Sequence, residues 1–253
     1  MRTLVLALSC LVAAPAAADL ALVSLRDDIR VVSLAYDPLL CAVWVADEGP
    51  TLTLLNALGE EIMTVETGMR SVRSLTVEAD GLLIANGWGD FRRIDREGRE
   101  RGMPFSLNRT LRDVEGLHRD ADGSFLVVED DPSRLMRVAP DGAMLMEIDG
   151  DRMNPPMTEP QGVGRDPYSG TILVIDDNEG LNALFELAPD GRVLDVTPLS
   201  AWGYDAEAVA LQPESGRLFI GFDGGTALAI FDWRPNEITL DEPLERGPDC
   251  AMM

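Results

Sequence analysis

Three short phrases set oxygen donors in the same order: Asp113-Val114-Glu115-Gly116, Glu159-Pro160-Gln161-Gly162 and Asp205-Ala206-Glu207-Ala208. Asp, Glu and Gln ligate hard cations through oxygen, and carboxylates brought together either rise in pKa or recruit a cation. A second set of acids closes apolar runs elsewhere: Asp47-Glu48, Asn86, Glu129-Asp130-Asp131, Asp176-Asp177-Asn178 and Asp223. An all-oxygen donor set without clustered His or thiolate favours Ca2+, with Mg2+ and Mn2+ behind it. Zinc is disfavoured, because His118 is the only histidine and the cysteines lie far apart. Glu115 and Glu207, which mark the same spot in two phrases, are the leading ligand candidates. Asp113, Glu159, Gln161 and Asp205 stand behind them, and Asp130, Asp177 and Asn86 form a second tier. The competing expectation is that these acids are solvated turn residues, an ordinary role for Asp and Asn.

Other chemistries find less support. No Gly-x-Ser-x-Gly elbow occurs, and a Ser-His-Asp system would have to use His118, which follows Leu117 in a strand and is expected to face a neighbouring blade or solvent. No glycine-rich phosphate loop occurs either. Tyr204, Trp88, Trp202 and Trp233 fit a pocket lining, or blade packing.

The elements that must position the acids repeat along the chain. Taking Ser33, Ser74, Gly116, Gly162 and Ala208 as equivalent anchors, successive steps are 41, 42, 46 and 46 residues. Each anchor is followed, usually after a turn such as Asp80-Gly81, Asp122-Gly123, Ser169-Gly170 or Ser215-Gly216, by a β-branched and apolar run. A third strand comes next, and Asp141-Gly142 and Asp190-Gly191 mark turns into a fourth. Four short strands per repeat of just over 40 residues is the pattern of a propeller blade. The fold expected is therefore all-β, a β-propeller of about five four-stranded blades, with a degenerate sixth left open. Leu20 to Arg26 reads as one more strand, placed to pair with the last blade and close the ring. In an antiparallel blade the start of the first strand and the end of the second share an edge, so the acids gather at one mouth of the central channel.

Met1-Arg2, the apolar run Leu4 to Val12 and the small residues Ala14 to Ala18 read as a secretory signal peptide over residues 1–18, leaving 19–253 as a single domain. The apolar run is too short to span a bilayer. Net charge is −23, from 44 acids against 21 basic residues, and every basic residue is Arg. Such a surface repels phosphate backbones and anionic lipids, so nucleic acid is a poor partner and a cation a better one. Beyond the leader only Cys41 and Cys250 remain, either as one bridge tying the first repeat to the tail or as two unpaired thiols.

The stretches from Asp113 to Gly142 and from Glu159 to Gly191, with the Asp-x-Glu-Gly-Leu phrase at Asp113 to Leu117, resemble repeats of the SdiA-regulated (YjiK-like) propellers and, more distantly, NHL-repeat and gluconolactonase-type propellers. The resemblance is good over residues 111 to 234 and weaker over the first two repeats. It implies an exported, periplasmic propeller with a cation in its channel. The gluconolactonase type implies a divalent ion at the channel mouth, with Glu115 and Glu207 matching its strand-start Glu by position; the rest of its ligand pattern is missing here. Two functions follow as expectations. One is a Ca2+-stabilised binding or scaffolding module for a small molecule or a periplasmic protein. The other is a metal-dependent hydrolase of a lactone, ester or phosphoester, with Asp177 or Asp130 as base.

Overall fold

The computed structural model describes residues 20–108, 110–224, 227–236, 238, 240 and 250; the expected signal peptide lies outside the described residues. After an N-terminal strand β1 (Ala21–Arg26), the first blade is β2 (Ser33–Asp37), β3 (Ala42–Ala46), β4 (Thr51–Leu55) and β5 (Glu61–Glu66). The second is β6 (Ser74–Glu78), β7 (Gly81–Ala85) and β8 (Phe91–Ile94), whose outer edge carries only single bridges from Phe91 to Phe105 and Ile94 to Glu100. Gly102 and Pro104 interrupt what would be its fourth strand, since proline cannot donate to a ladder. The third blade is β9 (Gly116–Arg119), β10 (Phe125–Asp130), β11 (Ser133–Val138) and β12 (Met144–Asp149), followed by the 3-10 turn Gly150–Arg152. The fourth is β13 (Pro160–Arg165), β14 (Ile172–Asp176), β15 (Ala183–Leu187) and β16 (Val193–Pro198). The fifth is β17 (Tyr204–Gln212), β18 (Arg217–Gly224) and β19 (Leu228–Asp232), and β1 completes it by pairing antiparallel with β19.

The ring closes. The innermost strands touch in the cyclic order β2, β6, β9, β13, β17 and back to β2. Five apolar cores accordingly lie between blades rather than within them. Trp44 and Leu82 meet between the first and second blades, for example, and Val31 meets Phe219 between the first and fifth. A second strand thus buries both faces, which is why β3, β7 and β14 read as continuous apolar runs instead of alternating ones. The anchors are small because neighbouring inner strands crowd there. A Cβ on Gly116 would meet the Gln161 carbonyl at 2.4 Å, and one on Gly162 would meet the Cα of Ala208 at 2.7 Å. Buried Asp37 adds a polar tie between the first two blades, accepting from the Trp44 indole at 3.1 Å and from Arg96 at 2.6 and 3.0 Å. Cys41 and Cys250 are disulfide-bonded, joining the first blade to the tail. No helix among the described residues is long and apolar enough to cross a membrane.

Candidate functional site

One register irregularity recurs at the start of every inner strand. Ser33, Ser74 and Gly116 pair with Ala46, Ala85 and Val128, yet the preceding residues Val32, Arg73 and Glu115 donate their N–H to the same three carbonyls. Register shifts at Pro160/Val163 and Ala206/Ala208 mark the same bulge in the last two blades. A bulge sets two residues against one and re-aims a side chain, and bulges cluster next to functional sites. The bulged positions are therefore Val32, Arg73, Glu115, Gln161 and Glu207. Asp205 takes the left-handed conformation (φ 64°), which aspartate tolerates better than most side chains.

Two carboxylate triads result. Asp113, Glu115 and Asp130 form one within the third blade, and Asp177, Asp205 and Glu207 form the other across the fourth and fifth; within each triad the candidate donor oxygens lie within 4.8 Å of one another. Glu159 stands beside both, close enough to feel the charges of Asp177 and Asp130. Gln161 approaches the second triad, its Nε2 donating to Asp177 at 3.4 Å. Asn178 donates to Asp205 and accepts from the Tyr204 hydroxyl at 2.7 Å. Asn86 joins neither triad. Its Oδ1 accepts from Trp88 N and Asp90 N at 3.0 and 3.3 Å, which makes it a turn former.

Their neighbours Glu129 and Asp176 are scaffold, not rim. Glu129 accepts from the backbone of Arg112 at 2.7 Å and from Arg134 Nε at 2.8 Å, and Asp176 accepts from the backbone of Glu159 at 2.8 Å. Both are buried and hold the first-strand acids in place.

The rim also carries cations, which a search restricted to acids overlooks. Counting back from the anchors, Arg30 holds the position of Asp113, and Arg73 that of Glu115. Arg30 pairs with Asp223 and Glu48 at 3.0 Å each, and Arg73 pairs with Glu48 at 3.6 Å and Glu115 at 3.4 Å. Alternating charges thus run from the fifth blade through the first and second to the third. Among the described residues no ion pair reaches Asp113, Asp130, Glu159, Asp177, Asp205 or Glu207, so negative charge is left uncompensated on one side of the mouth.

The electrostatic consequence is a set of proton-hungry acids. Burial, then repulsion from Asp205 and Asp177, pushes Glu207 up to about 8. Burial also raises Glu115 to about 7, against the pull of Arg73 and with help from Asp130 and Asp113. Glu159 rises to about 7 through burial and the charge of Asp177. Burial raises Asp177 too, against hydrogen bonds from the backbone of Glu179 and Gly180.

The opposite end of the channel is a cavity of about 670 Å³ walled by all five inner strands, with Leu34, Leu117, Val163 and Val209 among its apolar lining. His118 lines it, facing Arg165 of the next blade and partly open to solvent, as the sequence expected. Burial holds the imidazole below its usual pKa, although 31 % of the side chain stays accessible through the bore.

The fold and this two-ended channel define a five-bladed β-propeller with an acidic mouth. Among solved structures, the chain is similar to glutaminyl cyclase of Myxococcus xanthus, with a TM-score of 0.65 and 14 % identity over 87 % of this chain and 98 % of that one. It is also similar to the WD40 propeller domain of Doa1, with a TM-score of 0.51 and 16 % identity over 79 % of this chain and 63 % of that one. At such identities the likeness is one of fold. No family model matches the sequence, and no curated protein matches it.

Proposed function

We propose that this propeller binds a divalent cation, Ca2+ before Mg2+ or Mn2+, at its acidic mouth and serves as a Ca2+-stabilised binding module exported to the periplasm. The observation that carries this reading is the pair of carboxylate triads, in which Glu115 alone has an arginine partner. Oxygens sharing one Ca2+ lie at most about 5 Å apart, twice the 2.3–2.6 Å bond length, and each triad meets that limit. The donors are all oxygen, as a hard cation requires. Glu115, Asp113 and Asp130 would hold one ion, and Glu207, Asp205 and Asp177, with Gln161 beside them, a second. A bound ion would offset the repulsion of these groups and could polarise a carbonyl or phosphoryl oxygen. The Cys41–Cys250 bond suits an oxidising compartment, in line with the signal-peptide reading of residues 1–18. The SdiA-regulated resemblance supports the same assignment.

One observation favours catalysis as a second reading. Glu159 belongs to neither triad, borders both, and has a pKa near 7, as a general base working near neutral pH should. On that reading the mouth hydrolyses a lactone, ester or phosphoester. The Myxococcus neighbour is named as an enzyme, but a shared fold does not transfer a reaction.

Thermal melting in EDTA and then in millimolar Ca2+ tests the site, since an ion bound only by the native state raises the melting temperature with its concentration. Glu115→Gln should shrink that response. An unchanged melting temperature in millimolar Ca2+ would remove both readings. If the shift appears, a lactone, ester and phosphoester screen with Glu159→Gln as control separates enzyme from binder.

A further inference from the structure

We propose that the cavity at the far end of the channel, opposite the acidic mouth, binds a small monocarboxylate with an apolar body. Its volume of about 670 Å³ falls inside the roughly 300–1,000 Å³ range of small-molecule pockets. Leu34, Leu117, Val163 and Val209 give it the apolar wall such pockets share. The chemistry of the head group follows from which polar groups around it are already engaged. Asp120 is held by Arg165 at 2.9 Å and approached by Arg137 at 3.5 Å. Arg137 also binds Asp122 at 2.6 Å, and Glu78 is held by Arg93 at 2.7 Å. Glu214 faces the Tyr36 hydroxyl.

Among the described residues, three donors in the cavity lining make no hydrogen bond: Arg119 Nε, the His118 imidazole and the Tyr36 hydroxyl. Arg119 Nε is buried without a hydrogen bond, its nearest acid being Glu78 at 3.7 Å, already taken by Arg93. The His118 imidazole makes no hydrogen bond, and Asp120 lies 3.8 Å from its Nε2. Asp120, Asp122 and Glu78 are thus each held by arginine, while Arg119, His118 and Tyr36 have donors to spare. Guanidinium and carboxylate match in geometry as well as in charge. The ligand's carboxylate therefore meets the Arg119 guanidinium, and its hydrocarbon part lies along the bore past His118. This site shares no residue with the acidic mouth and stands independently of any cation there.

The single histidine makes the test direct, because its ring signals in NMR report on the cavity alone. The probe is octanoate, with 1-octanol as the uncharged control. Octanoate should shift the His118 signals saturably, and octanol should bind at least about tenfold more weakly. Arg119→Gln, at a partly exposed side chain, should cost octanoate at least about tenfold and leave octanol unchanged. Gly164 lines the cavity, and a Cβ there meets nothing nearer than 3.8 Å, so Gly164→Leu should fill the space, keep the fold and abolish binding of both probes. The proposal fails if octanoate leaves His118 unmoved, if octanol binds as tightly, or if folded Gly164→Leu protein still binds.

Discussion

Glu207→Gln should change the protein in opposite directions with and without Ca2+. The substitution keeps the shape of the side chain and removes its charge. In the metal-free protein Glu207 has a pKa of about 8, against an ordinary 4.5. The unfolded chain therefore gives up this proton first, the native state binds more protons across that window, and stability falls as pH rises through it. At about 1.36 kcal/mol per pKa unit the full penalty above pH 8 has a ceiling of roughly 4–5 kcal/mol, and solvent screening of this partly exposed group lowers it to about 2–4. For a domain of this size each kcal/mol moves the melting temperature by about 2–4 °C, so in EDTA near pH 8.5 the variant should melt about 5–15 °C above wild type. Near pH 5 the gap should close. In millimolar Ca2+ the order should narrow or reverse, because the wild type gains about 2.7 kcal/mol at a hundredfold excess over its Kd and the variant has lost a ligand. Calorimetry of both proteins at two pH values, in EDTA and in Ca2+, reads all of this. A variant less stable than wild type in EDTA at high pH, or one with an undiminished response to Ca2+, would refute the claim that the mouth is a repulsive site awaiting a cation.

Glu186, buried and accepting from the Trp233 indole at 2.8 Å, is raised to about 7 chiefly by burial. It should therefore weaken the fold as pH rises from about 4.5 to 7, and Glu186→Gln should flatten that slope and add about 2–3 kcal/mol above pH 8 in denaturant titrations. Cys250→Ser opens a loop spanning 209 residues, so a loss of up to about 5 kcal/mol is expected on the chain-entropy estimate, read as a lower urea midpoint. Gly162→Ala forces a methyl against the neighbouring inner strand and should cost more than about 2 kcal/mol, whereas Gly164→Ala should stay within about 1 kcal/mol of wild type.

The blade count was legible because the anchors Ser33, Ser74, Gly116, Gly162 and Ala208 all sit where inner strands crowd, which restricts size at a fixed step. The role of Leu20 to Arg26 was legible too, as an apolar strand left over once five repeats are assigned. The outer edge of the second blade was not, since its two single bridges leave no strand-like pattern in Glu100 to Phe105. Most of the acids were found by register alone. Arg30 and Arg73 could have been found by the same register, but they are visible only if the ring position is read for every residue type and not just for ligands. Asn86 was drawn in because a turn-forming Asn looks like a ligand until its carbonyl is seen capping Trp88 N. His118 was placed correctly toward the next blade and solvent, but the cavity was not foreseen. Alternation says only that it lies opposite Leu117, and the bore into which it opens depends on how five blades curve around an axis.

The pairing of β1 with β19 joins the first described strand to one beginning about two hundred residues later. At roughly 5–20 residues per second of synthesis, β1 waits about 10–40 s for its partner to exist. Until then Leu22, Val23 and Leu25 sit on an open strand edge, and the core between the first and fifth blades, built around Val31 and Phe219, cannot assemble. The last contact made is thus among the longest in sequence, which favours slow folding and makes the unclosed ring the stage most exposed to edge-to-edge association.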